Sequence, residues 1–230
     1  IGFDSAAGRK SGHCQDDMKG AAPSTQAIEE ACLFLSDRDV CLAQAMFDVG
    51  SPEWRTASAD FETLARAVVY QLVSTKAASA IWSRVHTQLQ GDVSPDRVVA
   101  TADLDLRACG VSRPKVQHMR AIAESIRSGA LCFDRLGRSD IETARKELLL
   151  VRGIGPWTAD LFLMNALGHL DAFPHGDVGV MEAYRLLQGR DEREPAKDFL
   201  QRAEAWRPYR GVAAHLLWKW IHQWRDAAPA

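Results

Sequence analysis

The sequence predicts an all-α protein of about ten helices, and three observations carry that reading. Apolar residues recur with helical period through almost the whole chain after residue 24. FETLARAVVYQL, for example, places Phe61, Leu64, Ala65, Val68 and Leu72 at i, i+3, i+4, i+7 and i+11, an amphipathic stripe. No segment shows the alternation of a convincing β-strand. Helix-starting and helix-stopping residues punctuate the pattern at short intervals, which implies short connections and a fold of local contacts without long repeats.

The elements follow in order. Ser24 or Thr25 can cap a helix through about Leu35, and the 61–72 stripe is the next strong one. Lys76 to Leu89 repeats its pattern. Ser94-Pro95 starts a short helix, and Asp103 to Cys109 makes another that Gly110 stops. Ser112 caps a helix from Arg113 to Ser128, with Pro114 in its first turn. Ser139 with Glu142 forms a capping box for a helix ending near Leu150. Pro156 to Leu167 is helical. Asp177 stands before a helix to about Leu187, and Tyr209 to Trp224 is the last.

At 230 residues the chain fits one sizeable domain or two small lobes, with ordinary globular proportions of 47% apolar and 25% charged residues. No run of 18 apolar residues appears, so no membrane span is expected. Residues 1–24 lack the apolar core of a signal peptide and carry acids that a mitochondrial transit peptide avoids, so they read as a disordered tail. The five cysteines (14, 32, 41, 109 and 132) show neither a CxxC pair nor zinc spacing, which suggests reduced thiols in a cytosolic protein. Cys32 and Cys41 read as small core residues. The net charge is −2, yet Arg107 to Arg152 holds ten Arg/Lys against five acids. That surplus fits either a phosphate-binding face or a solvated helix surface.

The stretch LLLVRGIGPWTAD, residues 148–160, breaks one helix with a glycine-rich turn and at once begins another. It reads as a helix-hairpin-helix, with Val151 and Ile154 as its apolar anchors. The glycines permit positive φ and close approach of another backbone, and the free amides opening the second helix make an anion site suited to a DNA phosphate. A plain helix C-terminus followed by Gly153 and Pro156 is the alternative for the same residues.

LLLVRGIGPWTAD followed by DAFPHGDVGV resembles the helix-hairpin-helix DNA glycosylases, and within them the alkylpurine (3-methyladenine DNA glycosylase II) branch. The resemblance spans about residues 28–224 and takes in FETLARAVVYQLVSTKAA, LRACGVSRPKVQHMRAIA and AEAWRPYRGVAAHLLWKW. It implies a two-lobed helical domain over 25–226, with a central lobe of about 58–175 and a second lobe from 25–57 plus 176–226. The extra N-terminal β domain of some members should be absent.

The resemblance also assigns roles. Asp177, 22 residues after Gly155, falls on the catalytic aspartate. Breaking an N-glycosidic bond builds positive charge on the deoxyribose, and a fixed carboxylate stabilises that charge and can orient or deprotonate water. Asp177 also reads as a helix N-cap, and the two roles are compatible. Trp157 stands where strand-cutting members carry a lysine, so a monofunctional enzyme is implied. Trp157 and Trp206 match aromatics of a pocket that would hold a cationic base by stacking and cation–π attraction; each also reads as core. Trp218, Trp220 and Trp224, at helical spacing with Leu217 and Ile221, read mainly as core.

Leu72 in the turn Gln71–Ser74 matches the wedge that fills the hole left by a flipped base, although the commoner pattern there is QQxS; a core leucine is its other reading. Gly153, Gly155, Thr158, Arg152, Lys115, Gln71 and Ser74 form the implied DNA-contacting set. Val178-Gly179-Val180 replaces the LGV of many members, and Met181 and Glu182 are also unusual. No cofactor is required on this resemblance. No cysteine follows Cys132, which excludes the iron–sulfur cluster of other members. A sodium or potassium ion on the backbone carbonyls of Leu149, Val151 and Ile154 is implied. The expected partner is damaged double-stranded DNA, bound by a monomer in a bacterial cytoplasm or a eukaryotic nucleus. Two rivals stand beside this reading: a glycosylase for oxidised or deaminated bases, and a non-catalytic hairpin module that binds DNA.

Overall fold

The computed structural model describes residues 18–19 and 22–227; most of the expected tail, Cys14 included, lies outside them. The described chain is mainly helical. Its helices are α1 (Thr25–Ser36), α2 (Val40–Val49), α3 (Phe61–Tyr70), α4 (Thr75–Gln88), α5 (Pro95–Ala100), α6 (Asp103–Ala108), α7 (Arg113–Arg127), α8 (Phe133–Arg138), α9 (Ile141–Leu149), α10 (Pro156–Asn165), α11 (Val178–Leu187), α12 (Ala196–Arg202) and α13 (Arg210–Ala227), with a short 3-10 helix at Ala203–Trp206. No helix among the described residues is long and apolar enough to cross a membrane.

Most helix starts lie where the capping chemistry puts them. The side chain of Ser24 accepts from the Ala27 amide, Ser94 from Arg97, and Asp177 from Val180. Two caps differ from expectation: Ser112 stands at the start of α7 without a side-chain cap hydrogen bond, and the cap of α9 is shifted by one residue. The N-cap of α9 is Asp140, whose carboxylate accepts from the Glu142 and Thr143 amides, while Ser139 Oγ turns back to donate to Arg135 O. A carboxylate is the better partner for the positive end of a helix dipole. Helices α2, α8 and α12 were not anticipated. In α2 apolar residues run without clear period, and Val40 and Phe47 stay exposed while Cys41, Leu42 and Ala45 are buried. Two-residue strands β1 (Met18–Lys19) and β2 (Ser58–Ala59) pair antiparallel.

The helices pack in two groups that share one apolar core. In one, α2 lies against α1, α11 and α13; in the other, α7 lies against α3, α5 and α6, and α10 against α3 and α9. The link from α10 to α11 bridges the groups and is tied to α13 at several points. Gly211 N donates to Leu170 O at 2.7 Å, and a Cβ there would stand 2.8 Å from that oxygen, so only glycine fits. Beside it the buried Arg210 guanidinium holds Asp171 with two hydrogen bonds of 2.9 and 2.8 Å. These ties set where the chain re-enters at Asp177.

Candidate active site

The hairpin is built as its spacing suggests, but its two glycines do different work. Gly153 has φ +98°, and an added Cβ would stand 2.4 Å from Cβ of His118 on α7. It is required by the fold itself. Gly155 has φ −89°, which any residue adopts, and a Cβ there would meet nothing within 4 Å. Positive φ therefore belongs to Gly153 alone, and Gly155 leaves open space in front of the α10 N-terminus. With Pro156 at the first helical position, the Trp157 and Thr158 amides have no helical acceptor.

The turn Gln71–Ser74 is clamped to this hairpin. Gln71 Nε2 donates to Gly153 O at 3.2 Å and to Thr158 Oγ1 at 3.0 Å. Lys115 donates its ammonium to the carbonyls of Val69 (2.8 Å) and Gln71 (2.7 Å), the last turn of α3; burial lowers its pKa. Leu72 is thereby held at φ +55°, fully exposed at the apex. A leucine in the left-handed region persists only where its surroundings over-determine it. Leu72 is thus not a core leucine.

Four side chains of the implied DNA-contacting set also serve the fold. Lys115 has its charge engaged by carbonyls, the side chain of Thr158 is buried as a strut for Gln71, and Ser74 Oγ caps α4 by accepting from the Ala77 amide. Gln71 likewise spends its amide within the fold. Arg152 remains exposed on the turn. Of the basic residues in that segment, Arg120, Arg127, Arg135 and Arg145 are in ion pairs.

Asp177 is the point where the two helix groups meet. Its Oδ1 accepts from Val180 N at 3.0 Å and from Trp218 Nε1 at 2.9 Å; its Oδ2 accepts from Trp157 Nε1 at 2.9 Å. Two indoles from different helices therefore grip one carboxylate. Gly179 makes this possible, since a Cβ there would lie 3.1 Å from Asp177 Oδ1 and 3.4 Å from the Trp218 ring.

Hollows open on both sides of this grip. An outer cleft of about 850 Å³ runs between Leu72, the hairpin and Asp177. An inner hollow of about 620 Å³ is walled by Trp157, Trp218, Tyr70 and α10, Asp177 lines it as well, and Arg55, Arg66 and Arg225 stand on its wall. Such volumes suit a small ligand, with the carboxylate at the boundary.

The aromatic assignment changes accordingly. Trp206 is fully buried among Phe173, Tyr184 and Phe199, and its Nε1 donates to Asp39 Oδ2 at 3.0 Å. It belongs to the core, and Trp218, read as core, takes the place beside the carboxylate. Helical spacing alone could not separate them, because both lie on buried faces. Asp160, the other nearby acid, is clasped by Arg145 at 2.7 and 3.2 Å and faces a separate small cavity. Among the described residues no group of three or more His, Cys, Asp and Glu could hold a metal ion.

A sequence model of the HhH-GPD superfamily base excision DNA repair proteins matches residues 65–208. DNA-3-methyladenine glycosylase 1 of Schizosaccharomyces pombe is 32% identical over 163 residues, covering 69% of this chain and 71% of its own. The crystal structure of a DNA-3-methyladenine glycosidase from Bacillus halodurans superposes with a TM-score of 0.72 at 31% identity, over 91% of this chain and 95% of that one. A 3-methyladenine DNA glycosylase of Schizosaccharomyces pombe, in complex with abasic DNA, gives 0.76 at 28% identity over 83% and 95%. The family match takes in the Gln71–Ser74 turn, the hairpin and Asp177 together, and the chain belongs to the HhH-GPD superfamily of base excision DNA repair proteins.

Proposed function

We propose that the chain is a monofunctional DNA glycosylase, acting as a monomer, that hydrolyses the N-glycosidic bond of alkylated purines, chiefly 3-methyladenine, in duplex DNA. The observation that carries this reading is the carboxylate of Asp177, fixed by two indole N–H groups between a surface cleft and an aromatic hollow. The relatives named as 3-methyladenine glycosylases support the same substrate class.

The chemistry follows from the placement. A phosphate of the damaged strand meets the open amides before α10, and Leu72 enters the stack as the nucleotide turns out. The base passes into the hollow and lies against the Trp157 and Trp218 rings. An alkylated purine carries positive charge, which aromatic faces attract by roughly 0.5–2 kcal/mol each. The C1′–N bond then breaks and its electron pair leaves with the base, which becomes neutral. Positive charge appears on the sugar beside Asp177. Water adds to C1′, and its proton passes to the carboxylate. Two donors already occupy Oδ1 and one occupies Oδ2, so Oδ2 keeps the free acceptor position. Trp157 offers no amine to attack the sugar, so the product is an abasic site in an uncut strand.

A sodium or potassium ion on the Leu149, Val151 and Ile154 carbonyls belongs to the same proposal. Val151 O accepts the Ile154 amide, and the other two carbonyls accept no hydrogen bond from the described residues. Such an ion would brace the turn. Melting in potassium chloride above that in choline chloride at equal ionic strength supports it; equal values refute it.

The function is tested by incubating the protein with methylated duplex DNA and identifying the released bases by mass spectrometry. Free 3-methyladenine is the expected product. Release of oxidised or deaminated bases instead, from DNA carrying those lesions, overturns the substrate class. No release with lesion-independent binding marks a non-catalytic hairpin module.

A further inference from the structure

The inner hollow contains a polar group that the reaction above does not use. Trp157, Leu161 and Asn165 lie at i, i+4 and i+8 on α10, and all three line the hollow. Asn165 is therefore two turns farther along the helix than the indole that grips Asp177. Its backbone oxygen is engaged, accepting from Ala57 N at 2.8 Å. Its side chain is not: Oδ1 is buried without a hydrogen-bond partner, and no described residue bonds the amide nitrogen. Buried polar atoms are nearly always paired, so an unmatched amide in a ligand-sized hollow calls for a partner from outside the chain.

We propose that Asn165 reads the edge of the extruded base and sets a preference for alkylated adenine over alkylated guanine. The inference rests on the glycosylase reading above. An amide presents an acceptor and a donor side by side, and the edge of adenine answers with the N6 amino donor beside the N7 acceptor. Methylation at N3 leaves that edge intact. In 7-methylguanine the same edge carries O6, an acceptor, and a methyl group on N7, so it gives Oδ1 no proton and leaves the amide a single hydrogen bond, from its nitrogen to O6, where the adenine edge offers two. Rotation about the soft terminal torsion of the side chain turns either end of the amide toward an entering base. The aromatic walls hold any flat cation, and Asn165 then distinguishes which one.

The test uses DNA methylated to carry both lesions, so that 3-methyladenine and 7-methylguanine compete in one tube. Single-turnover release of each is followed for the wild type, Asn165→Leu and the near-isosteric Asn165→Asp, which keeps an acceptor and loses the donor. A loss of fold or of DNA grip lowers both rates together and leaves their ratio unchanged, so the ratio reports base reading. Asn165→Leu should lower the 3-methyladenine to 7-methylguanine ratio by at least about fivefold, the low end for a bidentate amide–adenine contact. Asn165→Asp should lower it by less. An unchanged ratio in both variants overturns the role of Asn165 and leaves the glycosylase reading standing. Release of neither base by the wild type overturns both.

Discussion

Asp177→Asn separates the roles of this side chain as acceptor and as charge. In the wild type, Oδ1 serves Val180 N and Trp218 Nε1, and Oδ2 serves Trp157 Nε1. Asparagine has one oxygen. Placed at the Oδ1 position it still caps α11 and meets Trp218, but its NH2 then faces the Trp157 N–H, donor against donor. One hydrogen bond to a charged acceptor is lost, worth about 1.5–3 kcal/mol, and the other two become neutral ones. Relief from burying the charge offsets part of this, so the net loss is about 2 kcal/mol. For a domain of this size that lowers the melting temperature by about 4–8 °C. The chemical step loses far more, because the fixed charge facing the developing cation is gone, and excision should slow by about 10² to 10³. Single-turnover excision from a methylated duplex and thermal melting, on one preparation, give both numbers. Excision close to the wild-type rate would reduce Asp177 to a helix cap and refute the reasoning. Asp160 would not then inherit the role, since Arg145 clasps it beside a separate small cavity.

Three further outcomes follow from the same geometry. Gly155→Ala should melt like the wild type and bind all DNA sequences more weakly, with a shallower salt dependence, whereas Gly153→Ala should destabilise the fold against His118; equal melting of the two variants would contradict this. Borohydride should trap no protein–DNA adduct, and the strand should break only after alkali, because Trp157 occupies the hairpin position that an amine would need; strand cutting by the pure protein would overturn it. His215 donates from Nδ1 to Gly211 O and accepts from Arg55 N at Nε2, an arrangement only the neutral ring allows, and burial pushes its pKa from 6.5 down to about 4. The unfolded chain therefore takes up the proton first, so this stability is fully present above pH 6.5 and drains away toward pH 4, amounting to about 3 kcal/mol. Urea midpoints at both ends of that range should converge in His215→Gln, and an unchanged slope would exclude the histidine.

The helices with clear period and the caps were legible because their causes are local: a stripe at 3.6 residues, or a serine or aspartate one residue ahead of it. The hairpin was legible for the same reason, as was the place of Asp177 ahead of α11. What stayed hidden depends on contacts across the fold. Periodicity says that Trp206 and Trp218 face inward, but not that one meets Asp39 and the other Asp177. A lysine in a basic segment suggests phosphate, and only the packing of α7 on α3 shows two carbonyls waiting for Lys115. The two glycines of the turn look alike in sequence, and His118 beneath one of them sets them apart. Cys32, Cys41 and Cys109 are buried, and burial raises the Cys32 thiol to about 11, as befits small core residues.

The central claim, that the Asp177 carboxylate stabilises a cationic sugar, is tested most directly by a transition-state mimic. Two duplexes are compared, one with a neutral tetrahydrofuran in place of the target nucleotide and one with a cationic pyrrolidine of the same shape. A site complementary to the transition state should bind the cation at least about a hundredfold more tightly. Asp177→Asn should bring that ratio close to one while leaving affinity for the tetrahydrofuran duplex largely intact. Equal affinities in the wild type, or a preference that survives in Asp177→Asn, would contradict the account.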